Sequence, residues 1–326
     1  MNETPVLEVR DLSVQFRTKT AKIPVLRGVS FNVRRQETLG LVGESGCGKS
    51  MTAFSIMGLL PEGGEITEGG ISFEGGNLIA ALKAEPHKIR GRQISMVFQE
   101  PMSSLNPLLT IGQQLYEVLY YHLGLKGAEN RERALNLLRS VNIGEPPRVY
   151  SCYPFRLSGG MRQRVMIAMA LACQPRLVIA DEPTTALDVT TQAQILDLFM
   201  ELKESASSSF IFVSHDLGVI AEVADRICVM YAGRVVEECS VQALFDMPLH
   251  PYTQALMQAR FGGEEKKRYA IPGSVPSPQD AGTGCAFAPR CEKSAERCTL
   301  ETPPLFEAGG SRVEHGHKAR CWRFIL

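Results

Sequence analysis

The sequence predicts an α/β fold with a parallel central sheet, and three apolar segments support that prediction. Continuous apolar runs, typical of parallel strands buried on both faces, occupy Leu177–Ala180 and Phe210–Val213. A third apolar segment, Thr38–Val42, leads into the glycine-rich stretch Gly43–Ser50 and then into the helix-compatible residues Met51–Met57. A strand, a glycine-rich turn and a helix in that order are the context in which such a turn binds phosphate.

The pattern before and after this core predicts two further β units. Short alternating strands open the chain and indicate an antiparallel β subdomain: Val6–Val9, Leu12–Phe16 and Val29–Val33. A hairpin closes the core, with strands at Ile227–Met230 and Arg234–Glu237 around a turn that contains Gly233.

The middle and the end of the chain differ from the sheet in their patterning. Helical periodicity at Ile111–Leu119 and Arg131–Val141 predicts a helical subdomain inserted at about residues 100–160. Beyond residue 250 proline and glycine become more frequent and apolar periodicity fades, which predicts a loop-rich tail. We therefore expect one large domain at residues 1–250 and a C-terminal extension at residues 251–326.

Composition limits the classes of function that the chain can have. At 326 residues with a net charge of zero, the chain has no global basic field that would draw it to nucleic acid. Its first residues lack the basic and then apolar profile of a secretion signal, and no apolar run is long enough to span a bilayer. We expect a soluble, cytosolic chain that can still dock on a membrane protein.

The glycine-rich stretch has the spacing of a phosphate-binding loop, with a lysine and a serine at its end. Its glycines let backbone N–H groups approach phosphate oxygens, and the helix that follows presents the positive end of its dipole. We expect Lys49 to reach the β- and γ-phosphates of a nucleotide and the Ser50 hydroxyl to ligate Mg²⁺. The residues predicted to contact the nucleotide here are Gly43, Glu44, Ser45, Gly46, Cys47, Gly48, Lys49, Ser50 and Met51.

Two carboxylates follow the apolar run Leu177–Ala180. The carboxyl ends of strands are where α/β sheets bind ligands, so Asp181 and Glu182 are candidates for the second half of a nucleotide site. Asp181 is suited to hold Mg²⁺ through water. The side chain of Glu182, one residue further along, points in a different direction from that of Asp181. It is suited to polarise the water that attacks the nucleotide.

A second anion site is predicted about twenty residues upstream of these acids. Ser158 can cap the helix whose apolar body is Val165–Cys173, and Gly159 and Gly160 leave the first amides of that helix uncovered. A single nucleotide does not need two helix N-termini from remote parts of one chain. This site therefore suggests a nucleotide held by a different subunit.

In order and spacing, these motifs resemble the ATP-binding subunits of ABC transporters. The resemblance rests on the phosphate loop, then Leu157–Arg164, then the strand that leads into Asp181–Asp188, then Ser214–Asp216. It implies a P-loop NTPase fold with ATP and Mg²⁺ as cofactors and ATP hydrolysis as the activity. It also implies a head-to-tail dimer, in which each ATP lies between the phosphate loop of one subunit and residues 158–160 of the other.

The resemblance also implies roles for individual side chains. Gln99 is similar to the glutamine that senses Mg²⁺ and the transmembrane partner, and Asp188 to the loop acid that crosses the dimer interface. His215 is similar to the histidine that contacts the γ-phosphate, and Phe16 to the aromatic residue that stacks on adenine, which is more often tyrosine. The expected catalytic residues are Glu182, His215, Lys49 and Gln99, and the expected Mg²⁺ site comprises Ser50, Gln99 and Asp181.

Three further segments resemble the oligopeptide, dipeptide and nickel importer branch of this family: Pro101–Pro107, His250–Leu256 and Pro289–Cys291. That branch implies peptide import through two transmembrane permease subunits, together with a second ATPase subunit and, indirectly, an extracytoplasmic solute-binding protein. The location would be peripheral, on the cytoplasmic face of the inner membrane. Nickel or glutathione import, an exporter, and a soluble ATPase acting on DNA or ribosomes are the alternatives, although we expect no nucleic-acid partner.

Four cysteines cluster in the tail: Cys285, Cys291, Cys298 and Cys321. A segment with no core of its own suggests a metal that supplies folding energy, and nothing indicates the oxidising compartment that disulfides need. Structural zinc sites usually show closer cysteine pairs, whereas an iron–sulfur cluster can use wider gaps. The resemblance implies a 4Fe-4S cluster on these residues, and structural zinc and unligated thiols are the alternatives. His250 and Tyr252 are interpreted as structural residues that fix the tail to the core.

Overall fold

The computed structural model describes residues 4–185, 187–205, 207–261, 271–277, 282–309 and 313–324. Twelve strands form two sheets within these residues. They are β1 Leu7–Arg17, β2 Lys22–Val33, β3 Thr38–Val42, β4 Gly64–Phe73, β5 Gly76–Asn77, β6 Ile94–Val97, β7 Leu177–Asp181, β8 Ser209–Ser214, β9 Arg226–Tyr231, β10 Arg234–Ser240, β11 Phe306–Glu307 and β12 Lys318–Ala319.

The larger sheet has eight strands in the order β11-β12-β10-β9-β3-β8-β7-β6. Its centre, from β9 to β6, is parallel, and β3, β7 and β8 are buried along their whole length. This confirms the prediction that the continuous apolar runs are parallel strands. Because these strands run in one direction, their carboxyl ends share one edge of the sheet, where the loops that follow β3, β7 and β8 converge.

The smaller sheet is antiparallel, in the order β2-β1-β4-β5. The prediction of two short strands at Val6–Val9 and Leu12–Phe16 is wrong, since a single strand runs through both. Its pairing shifts register between Val9 and Leu12, next to Asp11, whose backbone has a φ of 46°. Such an irregularity adds a residue without ending the strand, so the alternation changes phase while the ladder continues.

Thirteen α-helices lie within the described residues. They are α1 Lys49–Met57, α2 Leu78–Ala84, α3 Pro86–Ile89, α4 Pro101–Ser104, α5 Ile111–Leu123, α6 Gly127–Ser140, α7 Pro146–Tyr150, α8 Gly159–Leu171, α9 Val189–Ser205, α10 Leu217–Val223, α11 Val241–Asp246, α12 Pro251–Phe261 and α13 Glu296–Leu300. None of the helices in the described residues is both long and apolar enough to cross a membrane.

Helices α4 to α7 form the predicted helical subdomain between β6 and α8. Helix α5 begins at a capping box, in which Thr110 Oγ1 accepts from Gln113 N and Gln113 Oε1 accepts from Thr110 N. It ends at Gly124, which adopts the left-handed conformation that terminates helices. The predicted helical segment Ile111–Leu119 is confirmed within α5, and Arg131–Val141 is confirmed within α6 up to Val141, which is its C-cap.

The C-terminal tail packs on the large sheet. Strand β12 pairs with β10, and β11 pairs with β12, so the tail extends the sheet. Glu237 on β10 is fully buried and accepts hydrogen bonds from the backbone N–H groups of Leu249 and His250. His317 Nε2 lies 2.8 Å from the same carboxylate, which fixes the last segment of the tail to the core. The boundary at residue 250 stays a prediction.

Candidate nucleotide-binding site

The glycine-rich loop lies between β3 and α1, as predicted. A side chain at Gly43 would bring its Cβ to 2.2 Å from the carbonyl oxygen of Met230, so only glycine lets the loop approach β9 this closely. Gly48 has a φ of 108° and precedes the first residue of α1, a backbone conformation that L side chains rarely adopt. The two glycines therefore fix the path of the loop at its start and at its end.

Lys49 and Ser50 begin α1 and face the site from the end of the loop. The Lys49 side chain is buried, and Nζ donates to the carbonyl oxygens of Gly43 at 2.8 Å and of Glu44 at 3.2 Å. Ser50 Oγ donates to Asp181 Oδ1 at 3.0 Å, which joins the loop to the end of β7. Burial raises the pKa of Asp181, and a divalent cation is the kind of partner that favours the ionised carboxylate. Ser50 and Asp181 are thus in contact and share a cavity with Gln99, the third residue predicted to hold Mg²⁺, and that role stays a prediction.

Glu182 lies at the centre of a cluster of polar side chains. Its Oε2 accepts from Gln99 Nε2 at 3.0 Å and from Thr185 Oγ1 at 2.9 Å, and its Oε1 lies 3.2 Å from His215 Nδ1. Its own φ is 46°, a strained conformation of the kind that is concentrated at functional sites. Glu182 is nearly buried, whereas more than half of the His215 side chain is exposed. The structure therefore brings together three of the four predicted catalytic residues.

The fourth, Lys49, lies with them around one cavity of about 620 Å³. The cavity is lined by Val25, Glu44, Ser45, Gly46, Gly48, Lys49, Ser50, Met51, Gln99, Glu182, His215 and Leu256. Sequence reasoning missed Val25, because a single apolar residue on a strand carries no motif, and it assigned Leu256 to a motif of the importer branch without placing it in the site. It also missed Thr185, although this residue stands three positions after Glu182. Phe16 lies on β1, outside this lining, so its contact with adenine stays a prediction.

The cap predicted at the start of α8 is present, while the anion site predicted there stays a prediction. Ser158 is the N-cap of this helix, and its side chain accepts from Met161 N. Asp188 takes no part in that cap. Its carboxylate accepts hydrogen bonds from the backbone N–H and the hydroxyl of Thr191 at the start of α9. These bonds lower the pKa of Asp188. Ser158, Gly159, Gly160 and Asp188 all lie outside the lining of the phosphate-loop cavity of their own chain.

The four tail cysteines line one small cavity. Its walls also include His250, Phe287 and Trp322. Burial raises the pKa of the Cys285 thiol to about 11, and the other three cysteines act on that pKa in the same direction, as close thiols do. Among the described residues, no three of these sulfur atoms lie within 4.8 Å of one another. The structure thus gathers all four cysteines around one space.

Comparison with known proteins shows two families in the chain. Residues 26–185 match the family described as ABC transporter, and residues 236–298 match the C-terminal region of oligopeptide/dipeptide transporters. The oligopeptide transport ATP-binding protein AppD of Bacillus subtilis is 49% identical over 322 residues, which are 98% of this chain and 97% of AppD. The oligopeptide transport ATP-binding protein OppD of Haemophilus influenzae is 46% identical over 320 residues, 98% of this chain and 97% of OppD.

A solved structure supports the same assignment. The dimeric, post-hydrolysis structure of the ATP-binding cassette MJ0796 with ADP and Pi superposes with a TM-score of 0.65 and 31% identity. The match covers 72% of this chain and 98% of the cassette. Motif order, site geometry and likeness along nearly the whole length of the relatives lead to one assignment. The chain belongs to the ATP-hydrolysing subunits of ABC transporters, in the branch that carries the oligopeptide/dipeptide transporter C-terminal region.

Proposed function

We propose that this chain hydrolyses ATP at the phosphate-loop cavity and uses the energy to drive peptide import through a membrane permease. The observation that carries the proposal is the meeting of the Ser50–Asp181 pair with the Glu182 cluster at one edge of the sheet. Phosphoryl transfer needs exact positioning and neutralisation of charge, and this edge supplies a lysine, a cation site and a carboxylate.

Each residue has a defined task in the proposed reaction. Lys49 and the loop amides hold the β- and γ-phosphates, and Ser50 and Asp181 would hold Mg²⁺, which would supply positive charge beside those phosphates. Glu182 accepts a proton from the attacking water as a general base. Gln99 and Thr185 fix the carboxylate by donating to the same oxygen, Oε2, which leaves Oε1 near His215. His215 is placed to sense the γ-phosphate from the loop after β8.

A second subunit would complete the site. The N-cap region of α8 offers uncovered backbone amides, yet Ser158 lies outside the cavity of its own chain. A helix N-terminus attracts anions, so the γ-phosphate of an ATP on the facing subunit is its natural ligand. We infer a head-to-tail pair with two ATP molecules, in which Asp188 lies at the subunit contact.

The transported solute is inferred from the C-terminal region. AppD and OppD are oligopeptide transport proteins by name, and the chain matches both along nearly their whole length. The proposed complex contains two permease subunits, a second ATPase subunit and, indirectly, an extracytoplasmic solute-binding protein. Its place is peripheral, on the cytoplasmic face of the inner membrane. Nickel or glutathione import by the same machinery is the alternative.

Substitutions at two residues test the proposed catalysis. Lys49→Ala removes the cation that holds the phosphates, so ATP binding and hydrolysis should both be lost. Glu182→Gln keeps the shape of the side chain but removes the base, so kcat should fall by about 10²-fold or more while ATP still binds. Steady-state ATPase assays and ATP titrations measure both effects. Glu222→Gln, an exposed carboxylate on α10, is the matched control and should retain full turnover. Normal turnover in Glu182→Gln would exclude Glu182 as the base.

We further propose that the four tail cysteines hold a 4Fe-4S cluster. A tetrahedral zinc site with Zn–S bonds of about 2.3 Å places its sulfurs about 3.8 Å apart. The four thiols line one cavity, and the sequence gaps between them are wider than those of usual zinc sites, which suits a cluster in which each thiolate binds a different iron. When bound, the cluster would supply structural cross-linking of the tail or redox sensing. It lies outside the ATP cavity, so no step of hydrolysis passes through it.

Anaerobic purification tests the cluster. We expect brown protein with about four iron and four sulfide per chain. Cys291→Ser should lose the colour and the iron. Cys173→Ser, which changes a partly buried thiol outside the tail, should keep both. Colourless protein that contains zinc would contradict the cluster.

A further inference from the structure

The C-terminal tail reaches the phosphate loop through one residue, Glu44. Arg290, which immediately precedes the tail cysteine Cys291, makes a two-pronged ion pair with the Glu44 carboxylate. One terminal nitrogen donates to Oε2 at 2.7 Å and the other donates to Oε1 at 3.1 Å. The two residues are 246 positions apart in the chain, so this contact exists only because the tail folds back on the ATPase core.

The Arg290 guanidinium is held on every side. Its side chain is only 6% exposed, and it also donates to the hydroxyl of Tyr231 and to the carbonyl oxygens of Ile271 and Pro272. The ring of Phe287 lies 5.9 Å from the guanidinium carbon. A planar guanidinium fixed by this many partners has one orientation, in which its two terminal nitrogens face the Glu44 carboxylate.

A second tail residue holds the backbone of the same glutamate. The hydroxyl of Tyr252 accepts from Glu44 N at 2.8 Å, and the Tyr252 side chain is fully buried. The Glu44 carbonyl in turn accepts from Lys49 Nζ at 3.2 Å. The side chain, the N–H and the carbonyl of Glu44 are therefore all engaged. Arg290 and Tyr252 of the tail make two of these contacts, and Lys49 of the phosphate loop makes the third.

We propose that Arg290 and Tyr252 are positioning residues for the phosphate loop, and that Arg290 neutralises Glu44 so that the loop can bind ATP. This inference rests on the loop binding ATP as proposed above. Glu44 places a negative charge in the wall of a cavity that must accept a polyphosphate. A bound ATP is repelled by that charge unless a cation pairs with it, and Arg290 is the cation that does so.

The same contact places the cysteine cavity next to the nucleotide site. Phe287 lines the cavity of the four cysteines and also packs against Tyr231 and Tyr252, with ring centres 5.3 Å and 5.4 Å away. Cys291 follows Arg290 directly, and its N–H donates to the carbonyl of Ala288 in the turn that carries Arg290. A tail that is loosened at its cysteines would therefore also release Glu44.

Calorimetric titration of the full chain with Mg-ATP tests the charge argument. Arg290→Met leaves Glu44 unpaired, so the Kd for Mg-ATP should rise about tenfold, the order expected from a unit charge within about 10 Å. Glu44→Gln combined with Arg290→Met removes both charges and should return the Kd to within about threefold of the wild-type value. Arg290→Lys keeps the positive charge but cannot donate two parallel hydrogen bonds to Glu44, and the Kd for Mg-ATP should rise by about threefold.

Controls separate this effect from simple loss of tail packing. Arg297→Met removes a tail arginine that pairs with Glu301, the C-cap of its helix, and stacks on Trp322. This variant loses tail contacts without touching Glu44 and should leave the Kd unchanged. If Arg290 served only to dock the tail, the double variant would bind no better than Arg290→Met, since both lose its contacts to Tyr231, Ile271 and Pro272. That result, or wild-type affinity in Arg290→Met, would overturn the inference while leaving ATP binding intact. A wild-type chain that binds no Mg-ATP would overturn the proposed function as well.

Discussion

At the scale of single residues, Gly160 shows how one missing side chain serves two parts of the site. A Cβ on Gly160 would lie 2.6 Å from Cγ2 of Thr191, so helix α9 can approach α8 only because this position is glycine. Thr191 cannot easily turn aside, because its hydroxyl donates to Asp188 Oδ2 at 2.7 Å. The glycine at the start of α8 therefore also permits the close approach of Thr191 on α9.

Substitution of this glycine should be costly for a steric reason. Gly160→Ala forces Thr191 or α8 to move, and we expect a loss of about 1–3 kcal/mol in the free energy of unfolding. Gly159→Ala is the matched control, since its Cβ would lie at an ordinary 3.6 Å from Leu187 Cδ2. Its stability should stay within about 0.5 kcal/mol of the wild-type value. Urea unfolding of the two variants measures the difference. Equal stabilities would show that α8 and α9 are not in close contact.

The sequence allowed the residues of each motif to be predicted, whereas it did not allow prediction of the contacts that those residues make with distant parts of the chain. Lys49, Ser50, Asp181, Glu182 and His215 follow apolar strands whose carboxyl ends meet, and chain order alone places them together. Arg290 was part of a noted motif, yet its partner Glu44 is 246 positions away. Nothing local in a sequence specifies which carboxylate an arginine will reach after the tail folds back. Long-range pairs of this kind therefore require the structure.

At the scale of elements, the spacing of apolar residues predicted those strands and helices whose form depends on their own sequence. Strands β3, β7 and β8 and helices α5 and α6 lie where their patterns indicated. The first strand was predicted as two because the register shift beside Asp11 interrupts alternation without ending the ladder. Strand β4 was missed because its glycines and its exposed acidic residues dilute the alternation.

The tail elements were the least predictable, because they owe their form to the core. Each of β11 and β12 has only two residues and exists by pairing next to β10. Their anchor is Glu237, which is fully buried and bound to His317 and to two backbone N–H groups. A buried carboxylate is tolerated only where such partners satisfy it. The apparent lack of a core in the tail sequence thus reflects a tail that shares the core of the ATPase domain.

At the scale of the whole molecule, the separation of the two anion sites is the main constraint. One lies at the phosphate loop, and the other lies at the start of α8, outside the cavity that the loop lines. Gly159 lines a second cavity together with Ser50 and Asp181, whereas Ser158 lines neither that cavity nor the phosphate-loop cavity. In the proposed reaction the phosphates on the loop require a cover, and the α8 amides require an anion. A second subunit that faces the first satisfies both requirements at once.

The measurement that tests this claim most directly is a structure of the ATP-bound Glu182→Gln assembly with its partner ATPase subunit. The proposed arrangement predicts that the γ-phosphate on Gly43–Ser50 of one subunit lies within hydrogen-bond distance of the Ser158 region of the other. A closed assembly in which Ser158 lies remote from every bound triphosphate would contradict it.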